Sequence, residues 1–245
     1  MNRPTALITG ANAGIGKAVA NYFAHKSYNL VLIARDSQRL ETVKQSLQTI
    51  NADINIKAFS IDLGDMHQAY QQLTEIIKNI DNLSVVFNSA GIARYGTSET
   101  TLEDFDDLID INTKGAFAVA KAAAAKMKQQ QSGYIFNLAS YAAKRQVPRT
   151  GSYSASKCAL VGFSEALLIE MAAFNVKVTS LCPSVINTDM TKDFSIDNTD
   201  KLTTDDITST IDYLLNLSPN AIIPSIDIQL KGFVTGQFTA NKTFD

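Results

Sequence analysis

The chain has 245 residues, 45% of them hydrophobic and 19% charged, with a formal net charge of −2. That length and apolar content suit one large α/β domain with a sizeable core and exclude a disordered chain. The near-neutral balance excludes a general nucleic-acid or membrane-surface binder, and no apolar run reaches the roughly 18 residues of a transmembrane helix.

Met1-Asn2-Arg3-Pro4 runs straight into a strand-like segment, with no room for a signal peptide, so a cytoplasmic protein is expected. Cys158 and Cys182 form no C-x-x-C pair and read as two buried thiols in a reducing cytosol. His25 and His67 lie in polar helical stretches away from other ligand types. Neither a metal site nor a Ser/His/Asp triad is expected.

The first strand is 5–9. The turn Gly10-Ala11-Asn12-Ala13-Gly14-Ile15-Gly16 follows, then a helix over 17–26. Strand, glycine-rich turn and helix start make a phosphate cradle: the backbone can approach the anion, and the helix offers free N–H groups. The spacing G-x-x-x-G-x-G departs from the general dinucleotide fingerprint. A second strand, 30–34, ends at Arg35-Asp36, where a doubly wound sheet meets the adenosine ribose. An acidic residue there favours NAD and a basic one NADP. Asp36 can instead cap the helix over 37–50.

Strand 55–61 closes with Asp62-Leu63, before a helix over 67–80 that Asp62 or Asp65 caps. Strand 83–87 ends in Asn88-Ser89-Ala90-Gly91. One long helix, kinked near Gly115, is expected over 102–128. Within it Asn112 is an indifferent helix former whose amide can open the helix ladder to water, and Ala116–Ala125 permits close helix contact. Strand 133–140, a helix over 152–174, and strand 176–181 follow, with Asn175 as a left-handed helix stop. Residues 189–205 are polar and without periodicity. A short helix over 204–216, capped by Thr204 or Asp205, precedes a last strand within 222–230.

Tyr153 and Lys157, four apart on the 152–174 helix, share one face. A lysine cation beside a phenol favours the phenolate, so the Tyr153 pKa is expected to fall toward the working range. A tyrosine so tuned passes protons to or from a substrate oxygen. Ser140, at a strand end, is placed to face it across a cleft.

These pieces, together with T-G-A-N-A-G-I-G at 9–16, N-S-A-G at 88–91, Asn112 and Y-S-A-S-K at 153–157, resemble the short-chain dehydrogenase/reductase family over residues 4 to 190. The resemblance implies a single-domain Rossmann-type α/β fold, a doubly wound parallel sheet of about seven strands with helices on both faces. It implies a cofactor site of Gly10, Asn12, Gly14, Ile15, Gly16, Arg35, Asp62, Leu63, Asn88, Ala90, Gly91, Pro183, Ile186 and Thr188. By the family's pattern Arg35 faces the ribose, which favours NADP(H) over NAD(H). It implies that Tyr153 transfers the proton, Lys157 tunes it and holds the nicotinamide ribose, Ser140 polarises the carbonyl, and Asn112 holds a relay water. Residues 189–205 take the place of a substrate lid, and the 102–128 helix packs on a partner subunit in a homodimer or homotetramer.

Two positions depart from the family pattern. Ser89 replaces an asparagine and Ser184 a glycine; if position 184 needs a positive φ, serine costs about 1 kcal/mol there. The substrate is expected to meet 92–97, 141–150 and 187–203. Lys144, Arg145 and Arg149 either attract an acidic substrate or are solvated. The helix end Ala172-Ala173-Phe174-Asn175 lacks the arginine expected of a reductase that docks acyl carrier protein. Two rival readings stand beside carbonyl reduction: a nucleotide-binding scaffold without turnover, and a sugar-nucleotide epimerase. The short remainder after Thr188 argues against the epimerase.

Overall fold

The computed structural model describes residues 3–145 and 147–238; what the sequence suggests for Met1, Asn2, Gln146 and 239–245 lies outside the described residues. Seven strands, β1 (Thr5–Thr9), β2 (Asn29–Ala34), β3 (Ile56–Ser60), β4 (Leu83–Asn88), β5 (Gly133–Leu138), β6 (Val176–Pro183) and β7 (Ser225–Ile228), form one sheet. Their order is β3-β2-β1-β4-β5-β6-β7 and every pairing is parallel. The central strands read as unbroken apolar runs because both faces are covered. Ile8, Phe87 and Phe136 point to one face, where Val19 and Phe23 of α1 (Gly14–His25), Leu40 and Leu47 of α2 (Ser37–Ile50) and Ile211 of α7 (Thr204–Leu215) pack on them. Their neighbours Leu7, Val86 and Ile135 point to the other. There they meet Leu73 of α3 (Met66–Lys78), Ala123 of α5 (Ala116–Gln130) and Leu168 of α6 (Gly151–Ala172). A short α8 (Lys231–Val234) ends the described chain, and no described helix is long and apolar enough to cross a membrane.

The long helix expected over 102–128 is divided differently. α4 (Leu102–Ile109) passes through a π-helical stretch, Asp110–Gly115, into α5. The irregularity includes Asn112 and ends at Gly115, near the expected kink, as a widened helical ladder. The alanines at 118, 120 and 122–124 are buried within the chain, so the close contact they permit is largely internal, with α3 and the sheet.

Asp36 does cap α2, accepting from Arg39 N at 2.9 Å, and Asp65 rather than Asp62 caps α3. α7 is capped by Thr203, one residue before Thr204 and two before Asp205, because Asp206 reaches back to the Thr203 N–H at 2.8 Å and completes a capping box. Asn175 adopts the left-handed conformation (φ 56°). Cys182 is buried as expected, but Cys158 is exposed, on the outer side of α6.

Candidate active site

The strand ends β1, β4, β5 and β6 open onto one cleft, at the point where the strand order reverses. Its floor is the glycine turn. Gly10 holds φ +65°, and a Cβ there would stand 3.1 Å from the Ala90 backbone; a Cβ at Gly16 would strike the Gly10 carbonyl oxygen. Only glycine lets β1, α1 and the segment after β4 close to this distance. The N-terminus of α1 points into the space so formed.

The cleft has two branches, of about 390 and 400 Å³, which share Gly10, Asn12, Ala90, Gly91, Ile92 and Arg39. Arg35, Asp36, Asp62 and Leu63 line the second. The first carries Gly14, Ile15, Gly16, Tyr153, Lys157, Pro183, Ile186 and Thr188. A glycine cradle at a helix N-terminus between a branch lined by Arg35, Arg39, Asp36 and Asp62 and a branch holding a phenol and a lysine fits a dinucleotide. Arg39 was not foreseen. Its signal was present, one helical turn after Arg35 on α2.

Asn88 is set back from the cleft. Fully enclosed, it accepts from Thr9 Oγ1 at 3.1 Å and donates to the Ala116 carbonyl at 2.9 Å and to Asn137 Oδ1 at 3.2 Å. Asn137 in turn donates to Ser164 Oγ at 2.8 Å. A buried polar chain therefore runs from β1 through β4 and β5 to α6. Thr9 Oγ1 also accepts from the N–H groups of Ser89 and Ala90, both at 3.0 Å, which fixes the small residues beside the cradle. Ser89 Oγ donates to the Thr9 carbonyl at 2.6 Å, so serine holds this corner through its own bond.

Asn112 is also fully buried. Its amide closes a two-point clamp on Ile92, accepting from N at 2.8 Å and donating to O at 2.9 Å, and donates to Ser156 Oγ at 3.1 Å. The side chain is thus held by protein partners on Ile92 and Ser156. The widened ladder of the π stretch is a backbone feature.

Lys157 Nζ is buried and donates to the Leu138 carbonyl at 3.0 Å. It stands 5.8 Å from the centre of the Tyr153 ring. Burial lowers its pKa to about 8. The Tyr153 pKa moves opposite to the expectation. Burial raises it, and a hydrogen bond with Ser140 opposes the rise only in part. Ser140 Oγ also accepts from Ala142 N at 3.1 Å, which aims the hydroxyl.

Ser184 is not among the positive-φ residues, so the strain anticipated there is absent. Its N–H donates to the Ile228 carbonyl at 2.8 Å and its Oγ accepts from Leu230 N at 2.9 Å, stitching β6 to the chain after β7. Asp189, Met190, Thr191 and Phe194 line the cleft. Buried Lys201 donates to the Thr191 carbonyl at 2.7 Å and to Asn198 Oδ1 at 2.9 Å. Lys144, Arg145 and Arg149 do not line the cleft: Lys144 turns away to Ser225 Oγ at 3.1 Å and Glu165 at 3.9 Å, while Arg145 and Arg149 are exposed.

Comparison with known proteins agrees with this architecture. The short chain dehydrogenase family model matches residues 4–199. The human protein named 3-oxoacyl-[acyl-carrier-protein] reductase is 37% identical over 187 residues, 76% of this chain and 77% of that protein. The crystal structure of a betaketoacyl-[ACP] reductase from Bacteroides thetaiotaomicron superposes with a TM-score of 0.84 at 32% identity, covering 96% of this chain and all (100%) of that one. ElxO with NADP bound superposes with a TM-score of 0.82 at 26% identity, covering 96% and 100%. The chain belongs to the short-chain dehydrogenase/reductase family of oxidoreductases.

Proposed function

We propose that this protein is an NADP(H)-preferring carbonyl reductase of the alcohol dehydrogenase type, interconverting a ketone or aldehyde and its alcohol. The observation that carries the reading is the convergence of Ser140, Tyr153 and Lys157 on one cleft that runs on to the glycine cradle.

The dinucleotide would be held by Gly10, Asn12, Gly14, Ile15 and Gly16 at its phosphates, by Arg35, Asp62 and Leu63 at its adenosine end, and by Ala90, Gly91, Pro183, Ile186 and Thr188 at its nicotinamide end. Asn88 contributes from behind, by fixing the strand end. Bound there in reduced form, the cofactor supplies a hydride to the substrate carbon. Tyr153, kept protonated by burial, gives its proton to the carbonyl oxygen and takes it back in the reverse direction. The Ser140 hydroxyl, aimed by Ala142 N, donates to the same oxygen and stabilises its growing charge. Lys157 places a cation beside the phenol and reaches the nicotinamide ribose. Asn112 acts as a positioning residue: its clamp on Ile92 and its bond to Ser156 hold α6 against the segment after β4.

NADP(H) preference rests on Arg35 and Arg39, both lining the adenosine branch, with Asp36 occupied as the cap of α2. That ElxO was solved with NADP bound supports the same choice. We also place the protein in the cytoplasm. A second copy would pack on the outer face of α5 and α6, where Phe117 and Phe163 meet edge to face at 5.2 Å and Ile169 is exposed, giving a homodimer or homotetramer. The test is a fluorescence titration with NADPH and NADH at fixed ionic strength. Tight NADPH and weak NADH binding, levelled by Arg35→Ala, is expected; NADH preference would mean that an acidic residue meets the ribose.

The names of two relatives favour a second reading, a 3-oxoacyl thioester as substrate. The absence of arginine from the α6 end, Ala172-Ala173-Phe174-Asn175, weighs against an acidic carrier protein docking there.

A further inference from the structure

Resting on the reductase reading above, we propose that Tyr95 and Phe194 form an aromatic clamp that selects an uncharged carbonyl compound bearing an aromatic or alicyclic ring, and rejects oxo acids. The two rings come from opposite rims of the cleft, Tyr95 from the chain after β4 and Phe194 from the chain after β6. They meet edge to face, centroids 5.4 Å apart at 69°. Phe194 is backed by the buried cluster of Val185, Ile196 and Leu230, so its ring is held in place.

The remaining wall on the Tyr153 side is apolar too, formed by Ile92, Ala142, Val147 and Met190. Tyr95 and Tyr153 line the same branch of the cleft, so a ring seated in the clamp lies on the side of the proton donor. An apolar ring gains from this surface, and edge-to-face geometry adds orientation. A carboxylate gains little from this wall: the cations of 144–149 lie outside the cleft, Arg39 is shared with the adenosine branch, Lys157 is held on the Leu138 carbonyl, and Asp189 lines the branch as a like charge.

The test follows NADPH oxidation with three matched compounds. 1-Phenylpropane-1,2-dione has the ring; 2,3-butanedione is the same dione without it; phenylglyoxylate has the ring and a carboxylate. The phenyl dione is expected to exceed each of the others in kcat/KM by about ten-fold or more, chiefly through KM. Tyr95→Leu and Phe194→Leu keep apolar volume and lose the ring edge; each should shrink the phenyl advantage several-fold. NADPH titration of each variant reports that it is folded. Equal or better turnover of phenylglyoxylate or of butanedione overturns the clamp alone, as does a phenyl advantage unchanged in the Tyr95→Leu/Phe194→Leu double variant. Tight NADPH binding with no turnover of any of the three overturns the reductase reading, and the clamp with it.

Discussion

Lys157 Nζ donates to the carbonyl oxygen of Leu138 at 3.0 Å, tying the middle of the site to the end of β5 and orienting a cation that burial has weakened. Its pKa falls from 10.5 to about 8, so the folded chain binds fewer protons than the unfolded one between those values. The sign follows: Lys157 costs stability while charged below pH 8, and its contribution improves as pH rises through that window. Relative to Lys157→Met, wild-type stability should therefore rise by up to about 3 kcal/mol between pH 8 and 10.5. Denaturant midpoints across that range check it; a difference independent of pH contradicts it.

The same ionisation should appear in kinetics. The free-enzyme profile of kcat/KM for NADPH is expected to fall above pH 8, as Lys157 loses its charge. Tyr153, raised by burial, should set no limb below the ordinary phenol range. A profile flat to pH 10 would remove Lys157 from cofactor binding.

The buried chain Thr9–Asn88–Asn137–Ser164 crosses the sheet without reaching solvent. Asn137→Ala leaves donors on Asn88 and a hydroxyl on Ser164 with fewer partners. A loss of about 2–4 kcal/mol is expected, with NADPH affinity following only through stability. Urea unfolding measures it; a loss under 0.5 kcal/mol, the usual range of surface substitutions, would show that the network is dispensable.

Arg35 and Arg39 flank the adenosine branch. Each alanine substitution should weaken NADPH binding by about ten-fold and leave NADH within about two-fold, since one screened charge pair with a phosphate is lost. Raising the salt concentration should narrow the difference between the two cofactors. Equal effects on NADPH and NADH would mean that these side chains support the loop and do not read the phosphate.

Much of this was legible in the sequence because it is periodic or local. Unbroken apolar strand runs, the helix over 37–50 and the i, i+4 pair Tyr153/Lys157 are set by neighbours along the chain. What was not legible depends on distance in space. Asn112, inside the π stretch, finds its partner at Ile92, twenty residues away. Ser184 looked like a strained substitute for glycine, yet its hydroxyl has a partner at Leu230. The direction of the Tyr153 shift was misjudged because lysine proximity is visible in sequence and shared burial is not. Asn137 could have been noticed, as a polar residue inside the apolar run Tyr134-Ile135-Phe136-Asn137-Leu138; its partners could not.

The central claim is that Tyr153 is the proton donor in hydride reduction of a carbonyl. The most direct measurement is NADPH oxidation with 1-phenylpropane-1,2-dione by wild type and Tyr153→Phe, paired with NADPH titration of both. The account predicts similar NADPH affinity and a loss of turnover of about 10²–10⁴-fold in the variant. Turnover within a few-fold of wild type, at undiminished NADPH binding, would contradict it and place the proton donor elsewhere.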